Sequence, residues 1–126
     1  MRSRIIKTVP ETVIAYKTDE YTQKLRRIAS SNNIKLTEAA ADSAGEAVGY
    51  LAGYAGFTSN GSSEEAEDSC IVFAGLSSRQ IDSFLSDMRK NGVSVPLKAV
   101  VTASNQSWSL KKLLSELKKE HEKLGG

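Results

Sequence analysis

Two short runs of β-branched and aromatic residues, Val13-Ile-Ala-Tyr16 and Ile71-Val-Phe-Ala74, lie 58 positions apart. Each suits a buried strand, and each is followed by a helix, a second extended run and a closing helix. Alternation of this kind favours a layered α/β fold. A βαβ crossover makes each successive strand pair parallel and right-handed if its two strands are neighbours in the sheet. The expectation is therefore an α/β fold of two βαβα pseudo-repeats around a small, mostly parallel four-stranded sheet. A single domain over residues 1–126 divides into a first half (1–57), an acidic loop (58–69) and a second half (70–126).

Local signals fill in this plan. In the first half Thr18 is placed to cap a helix whose first turn holds Asp19 and Glu20, suited to the positive end of a helix dipole. Tyr21, Leu25, Ile28 and Ala29 share one face of that helix, Asn32 or Asn33 stops it, and Ile34-Lys-Leu36 is the next extended run. Ser43-x-x-Glu46 reads as a capping box opening a helix through Val48, Leu51, Ala52 and Ala55 to Gly56. In the second half Ser77-x-x-Gln80 is a sharper capping box, with Leu76 and Ile81 able to staple around it. Ile81, Phe84, Leu85 and Met88 form the buried stripe, and Gly92 ends the helix. Pro96 has no amide to donate, so the last strand starts at Leu97 or lies at an edge. Ser109 caps the final helix, Trp108 is set to staple against Leu113, and Leu110, Leu113, Leu114, Leu117 and Leu124 make its apolar stripe.

The segment Thr58-Ser-Asn-Gly-Ser-Ser-Glu-Glu-Ala-Glu-Asp-Ser69 holds four acids and no large apolar residue. It reads as a mobile connecting loop, a lid or more commonly a tether, because it buries too little to offset its ordering entropy. Residues 1–58 carry eight basic against six acidic residues, and 71–126 nine against five. This mild excess lacks the dense Arg/Lys stripe of nucleic-acid readers, making nucleic acid an unlikely partner. No apolar run reaches the ~18–20 residues needed to cross a bilayer, so no membrane association is expected. The lone Cys70 excludes an internal disulfide framework and a cysteine-built zinc site, and a cytoplasmic location follows as the expectation.

Few residues carry chemistry. Phosphate-loop and dinucleotide fingerprints are absent, and no catalytic residue, metal ligand or cofactor is nominated. Ligands of open α/β sheets sit where strand carboxyl ends meet helix amino ends, which here is the run Pro96–Trp108. Thr102, Ser104, Asn105 and the amides near Ser109 could hold an anion or carboxylate there. Lys98 points to the same face as Thr102, ~13 Å away at ~3.3 Å per residue. Against this stands a structural reading: such residues commonly make turns and caps, lysines snorkel at sheet edges, and Trp108 serves as a staple. His121 lies on the apolar side of the final helix as a half-buried packing residue or a pH-sensitive group. Cys70, with acids on its amino side, reads as packing rather than nucleophile. Gly45, Gly49 and Gly53, spaced by four, predict a smooth helical face, flanked by Tyr50 and Tyr54 as contacts for a protein partner or a second copy.

Residues 70–121 resemble a family of small bacterial domains, domain of unknown function 3783. The resemblance rests on Ile71-Val-Phe-Ala-Gly75, on Ile81, Phe84 and Leu85, and on Pro96-Leu-Lys-Ala-Val-Val-Thr102 with Asn105 and Trp108. Leu113-Leu114 and Glu120-His121 complete it. It implies no activity, but makes Lys98, Thr102, Asn105 and Trp108 the first positions to test. The sequence thus leads to a non-catalytic binding or regulatory module acting on a protein partner or as a homodimer. The alternative is a small-molecule protein or enzyme that takes an anion, carboxylate or phosphate after the fourth strand, with Lys98, Thr102, Ser104, Asn105, Trp108 and His121 as its ligand-binding candidates.

Overall fold

The computed structural model describes the backbone of residues 10–125 and the side chains of residues 10–120. Four strands, β1 (Thr12–Tyr16), β2 (Lys35–Ala39), β3 (Cys70–Ala74) and β4 (Leu97–Val100), form one sheet in the order β2-β1-β3-β4. The outer pairs, β1 with β2 and β3 with β4, are parallel, and the central pair is antiparallel. The helices are α1 (Thr22–Ser31), α2 (Val48–Leu51), α3 (Ser78–Lys90) and α4 (Leu110–Gly125). The fold is the expected α/β arrangement with a mostly parallel sheet.

Strand alternation explains the layering. Ile14, Tyr16, Cys70, Val72, Ala74, Leu97 and Ala99 project to one face and meet Ala44, Val48, Leu110, Leu113 and Leu114 around α2 and α4. Val13, Ala15, Ile71 and Phe73 project to the other and meet Leu25, Ile28 and Ala29 of α1 and Phe84 and Met88 of α3. Phe73 and Phe84 pack edge to face at 5.6 Å, a geometry matched to the ring quadrupoles. Strands β1 and β3 are buried along their whole length.

The antiparallel pair is centred on Ile14 opposite Val72. Those two residues are separated by the same 58 positions as the two strand runs, so the register runs symmetrically to either side of this one pair of equivalent residues. Thr12 pairs with Lys35, 23 residues on, and Cys70 with Leu97, 27 residues on. The longer crossover of the second half contains the longer helix, 13 residues in α3 against 10 in α1.

Several local expectations are corrected. Asp19–Tyr21 form a 3-10 turn ahead of α1, and Thr18 caps nothing, because its hydroxyl lies 2.8 Å from that of Thr22. The second strand runs over Lys35–Ala39, beginning later and ending later than Ile34–Leu36. The helix expected from Ser43 to Gly56 is a single turn, Val48–Leu51. Its predicted capping box is absent: Ser43 Oγ donates to the Ala40 carbonyl, and the Glu46 carboxylate accepts from Ser59 Oγ and the Asn60 amide. The glycine row is consequently no helical face. At Gly49 a Cβ would come within 2.7 Å of the Phe57 ring, so close approach, not helix pairing, accounts for that glycine.

The acidic segment is also not a loose tether. Glu64 donates its amide to the Asp42 carbonyl, and its own carbonyl accepts from the Ala44 amide. Tyr16 Oη donates to the Ala41 carbonyl (2.6 Å) and accepts from the Ala66 amide (2.9 Å). A composition argument sees no apolar anchor there. The anchor is supplied by the hydroxyl of buried Tyr16 from the first half.

Candidate functional site

The nominated ligand stretch leaves β4, an edge strand of the sheet. In β4 Leu97 and Ala99 are buried while Lys98 and Val100 are exposed, and the strand starts directly after Pro96. Lys98 Nζ turns back along the edge to the Val95 carbonyl at 2.8 Å. Past the strand, Thr102 and Asn105 close a reciprocal turn. The Thr102 amide donates to Asn105 Oδ1 (2.9 Å), and the Asn105 amide donates to Thr102 Oγ1 (3.1 Å). Asn105 Nδ2 donates to the Val100 carbonyl at 3.1 Å. Asn105 is buried and Thr102 and Ser104 are exposed. The amide side chain of Asn105 thus ties two backbone groups of its own loop, and Thr102 Oγ1 holds the Asn105 amide in return, which is the turn chemistry expected of Asx and Thr residues.

The rest of this loop grips the first half of the chain. The Val48 and Gly49 amides, at the start of α2, donate to the Trp108 and Gln106 carbonyls, both at 2.8 Å. Leu110 and Lys111 donate in turn to the Glu46 and Ala44 carbonyls. Four residues make too short a helix to stand alone, so α2 owes its existence to this embrace. Ser109 Oγ accepts from the Lys112 amide at 3.1 Å, the expected cap of α4. Trp108 is half-buried against the core beside α4, and Lys112 Nζ lies 4.7 Å from the centre of its ring, within cation–π range.

The two tyrosines differ. Tyr50 is 37% exposed, whereas Tyr54 packs against the core, where burial pushes its phenol above the usual range. The His121 side chain and that of Leu124 lie outside the described residues. Cys70 is fully buried, and burial, with Asp68 as a smaller cause, pushes its thiol up to about 12. The thiolate is the nucleophile, so this thiol is inert in the folded state.

The sequence reading missed the polar cluster at the carboxyl end of β1. Lys17 and Asp19 both have positive φ, 53° and 40°. Lys17 Nζ bonds Glu65 Oε1 (2.9 Å) and the Ala66 carbonyl (2.6 Å), and the Glu65 bond is the main cause of its raised pKa. Across β2, Arg26 forks onto Glu38 at 2.5 and 2.9 Å, which holds the Glu38 carboxyl below its usual range. A cleft of about 170 Å³ between Thr18, Asp19, Thr22 and Glu38 lies there. A second cleft, of about 450 Å³, separates residues 65–68 from α4, with Lys111, Lys118 and Lys119 on the helix side. The signals were present as a Lys-Thr-Asp tripeptide after the first strand and as the charge contrast of loop and helix. Their convergence depends on long-range folding. Among the described residues no group of three or more His, Cys, Asp or Glu side chains could hold a metal ion, and no helix is long and apolar enough to cross a membrane.

Residues 69–124 match the family model of a domain of unknown function, DUF3783. This segment is a DUF3783 domain. No curated protein and no solved structure matches the chain. The DUF3783 segment contains β3, α3, β4 and nearly all of α4, together with Lys98, Thr102, Asn105 and Trp108. In this chain the open side of its β3 is filled by β1, outside the matched segment.

Proposed function

We propose that this protein is a non-catalytic binding or regulatory module of the bacterial cytoplasm, which engages a protein partner or a second copy of itself. One observation carries the reading: the polar residues best placed to hold a ligand after β4 are spent on the loop's own backbone. The Asn105 side chain serves two backbone groups there, Thr102 Oγ1 accepts from a third, and Lys98 is bonded to the Val95 carbonyl. What the loop builds is a rigid platform on which the turn bearing exposed Tyr50 is mounted through Val48 and Gly49. Rigid aromatic side chains on a fixed platform supply contact area at low entropic cost.

The test pairs two measurements. Sedimentation equilibrium and affinity capture from the native host compare the wild type with Tyr50→Ala, a surface change expected to leave the fold intact. Self-association or a specific partner that weakens at least about tenfold in the variant supports the reading. A thermal-shift screen of phosphates, nucleotides and carboxylic acids runs alongside. A ligand-induced rise in Tm that disappears in Thr102→Ala would overturn it in favour of a small-molecule site after β4.

A further inference from the structure

The acidic segment meets a set of lysines drawn from two separate elements. Glu65 pairs with Lys17 from the end of β1 at 2.9 Å, Asp68 with Lys118 at 3.1 Å, and Glu64 with Lys111 at 3.4 Å. Lys111 and Lys118 are seven residues apart, two turns along one face of α4. Those ion pairs are not what fixes the segment. Bonds to its backbone do that: the Tyr16 hydroxyl holds the Ala66 amide, Lys17 Nζ holds the Ala66 carbonyl, and the Glu64 backbone is bonded to Asp42 and Ala44. The carboxylates of Glu64 and Glu65 are more than half exposed, and exposed pairs of this kind contribute little. They can swing away without moving the backbone that carries them. Between segment and helix a cleft of about 450 Å³ remains, lined by Glu65, Glu67 and Asp68 on the segment side and by Leu114, Ser115 and Lys119 beside the two lysines on the helix side.

We propose that this cleft binds a multivalent phosphate through Lys111 and Lys118, that the side chains of Glu64 and Asp68 are built-in competitors occupying those lysines, and that Glu65, paired with Lys17, adds negative charge to the cleft wall. A phosphate chain presents several charges and acceptor oxygens on one body, so it satisfies both lysines at once where each carboxylate satisfies one. The site is therefore partly masked, and its affinity is set by the acidic segment as much as by the lysines. The proposal concerns a different surface from that of Tyr50, so either can fail without the other.

Titration calorimetry with inorganic tripolyphosphate at low salt tests it. The triple variant Glu64→Gln/Glu65→Gln/Asp68→Asn should bind about tenfold tighter than the wild type. A charge-matched control, Glu20→Gln/Asp82→Asn/Glu120→Gln, should gain much less. Adding Lys111→Ala/Lys118→Ala to the first triple should remove the gain, with circular dichroism confirming that each protein is folded. An equal gain in the control shows a general effect of net charge and overturns the proposal. So does binding that survives loss of the two lysines, or no binding by any variant.

Discussion

The two halves follow one plan with different means of holding it. Beyond β3, a reciprocal Ser77–Gln80 capping box starts α3, and Gly92 with φ 69° follows its end. Beyond β1, the chain passes through a strained 3-10 turn before α1, and Asn33 takes the left-handed position with φ 58°. Gly75, with φ 73°, stands where Lys17 stands 58 residues earlier with φ 53°. The second half closes on a 16-residue helix and the first on a single turn gripped by the second half's loop. The second half is specified by its local sequence, whereas the first borrows its order from contacts made across the molecule. A family pattern covering only 69–124 is consistent with that difference.

The most severe way to break this comparison is to separate the halves. A fragment of residues 69–126 keeps its capping box and stop signal but loses β1, and with it the hydrogen-bonded partner of β3. An unpaired buried strand edge seeks another strand. The fragment is expected to lose the monomeric fold and either unfold or associate, as read by circular dichroism with sedimentation velocity. A folded monomer would show that the second half is self-sufficient. Next in size is Phe84→Ala, which removes a fully buried ring packed against Phe73. It should cost about 3–5 kcal/mol in urea unfolding. The same loss spread over two separate transitions would mean that the halves do not share one cooperative core.

The second half was also the more legible. Its capping box, its stop at Gly92, its strand start after Pro96 and its Ser109 cap all depend on residues within a few positions of each other. The parallel outer pairs followed from crossover geometry. The region from Ser43 to Ser69 was misread because its determinants are distant. Glu46 looks like the third residue of a capping box, but its carboxylate is used by Ser59 and Asn60, and Tyr16 anchors a loop 50 residues away. The stretch after the fourth strand is legible as a loop, yet no spacing rule shows that Asn105 turns inward to its own backbone.

Asn105→Ala sharpens that last point. The substitution leaves the Thr102 amide and the Val100 carbonyl without the partners they have now. A cost of about 2–3 kcal/mol in urea unfolding is expected from unsatisfied polar groups, with no ligand present. A neutral result would free Asn105 from its structural role and restore it as a ligand residue. Ser77→Ala should cost about 1 kcal/mol as a lost helix cap, measured in the same way. Thr18→Ser, at the matching place in the first half, keeps a hydroxyl for Thr22 and should cost less.

The smallest expected effect separates the two sheet edges. On β2, Glu38 is closed over by Arg26, while on β4 the outermost apolar residue, Val100, is 45% exposed. Glu38 is held below its usual range chiefly by its hydrogen bond to Arg26. A carboxyl lowered in the folded state binds protons more readily once unfolded, so the pair stabilises the fold above the ordinary glutamate range near ~4.3. That contribution fades as pH falls through the lowered value. Unfolding midpoints of wild type and Glu38→Gln should therefore differ at pH 7, with the wild type higher, and converge in acid. Both side chains are about half exposed, so the gap should be small and should narrow in high salt. A gap that widens on acidification would reverse the sign, and the β2 edge would then owe its closure to something other than this ion pair.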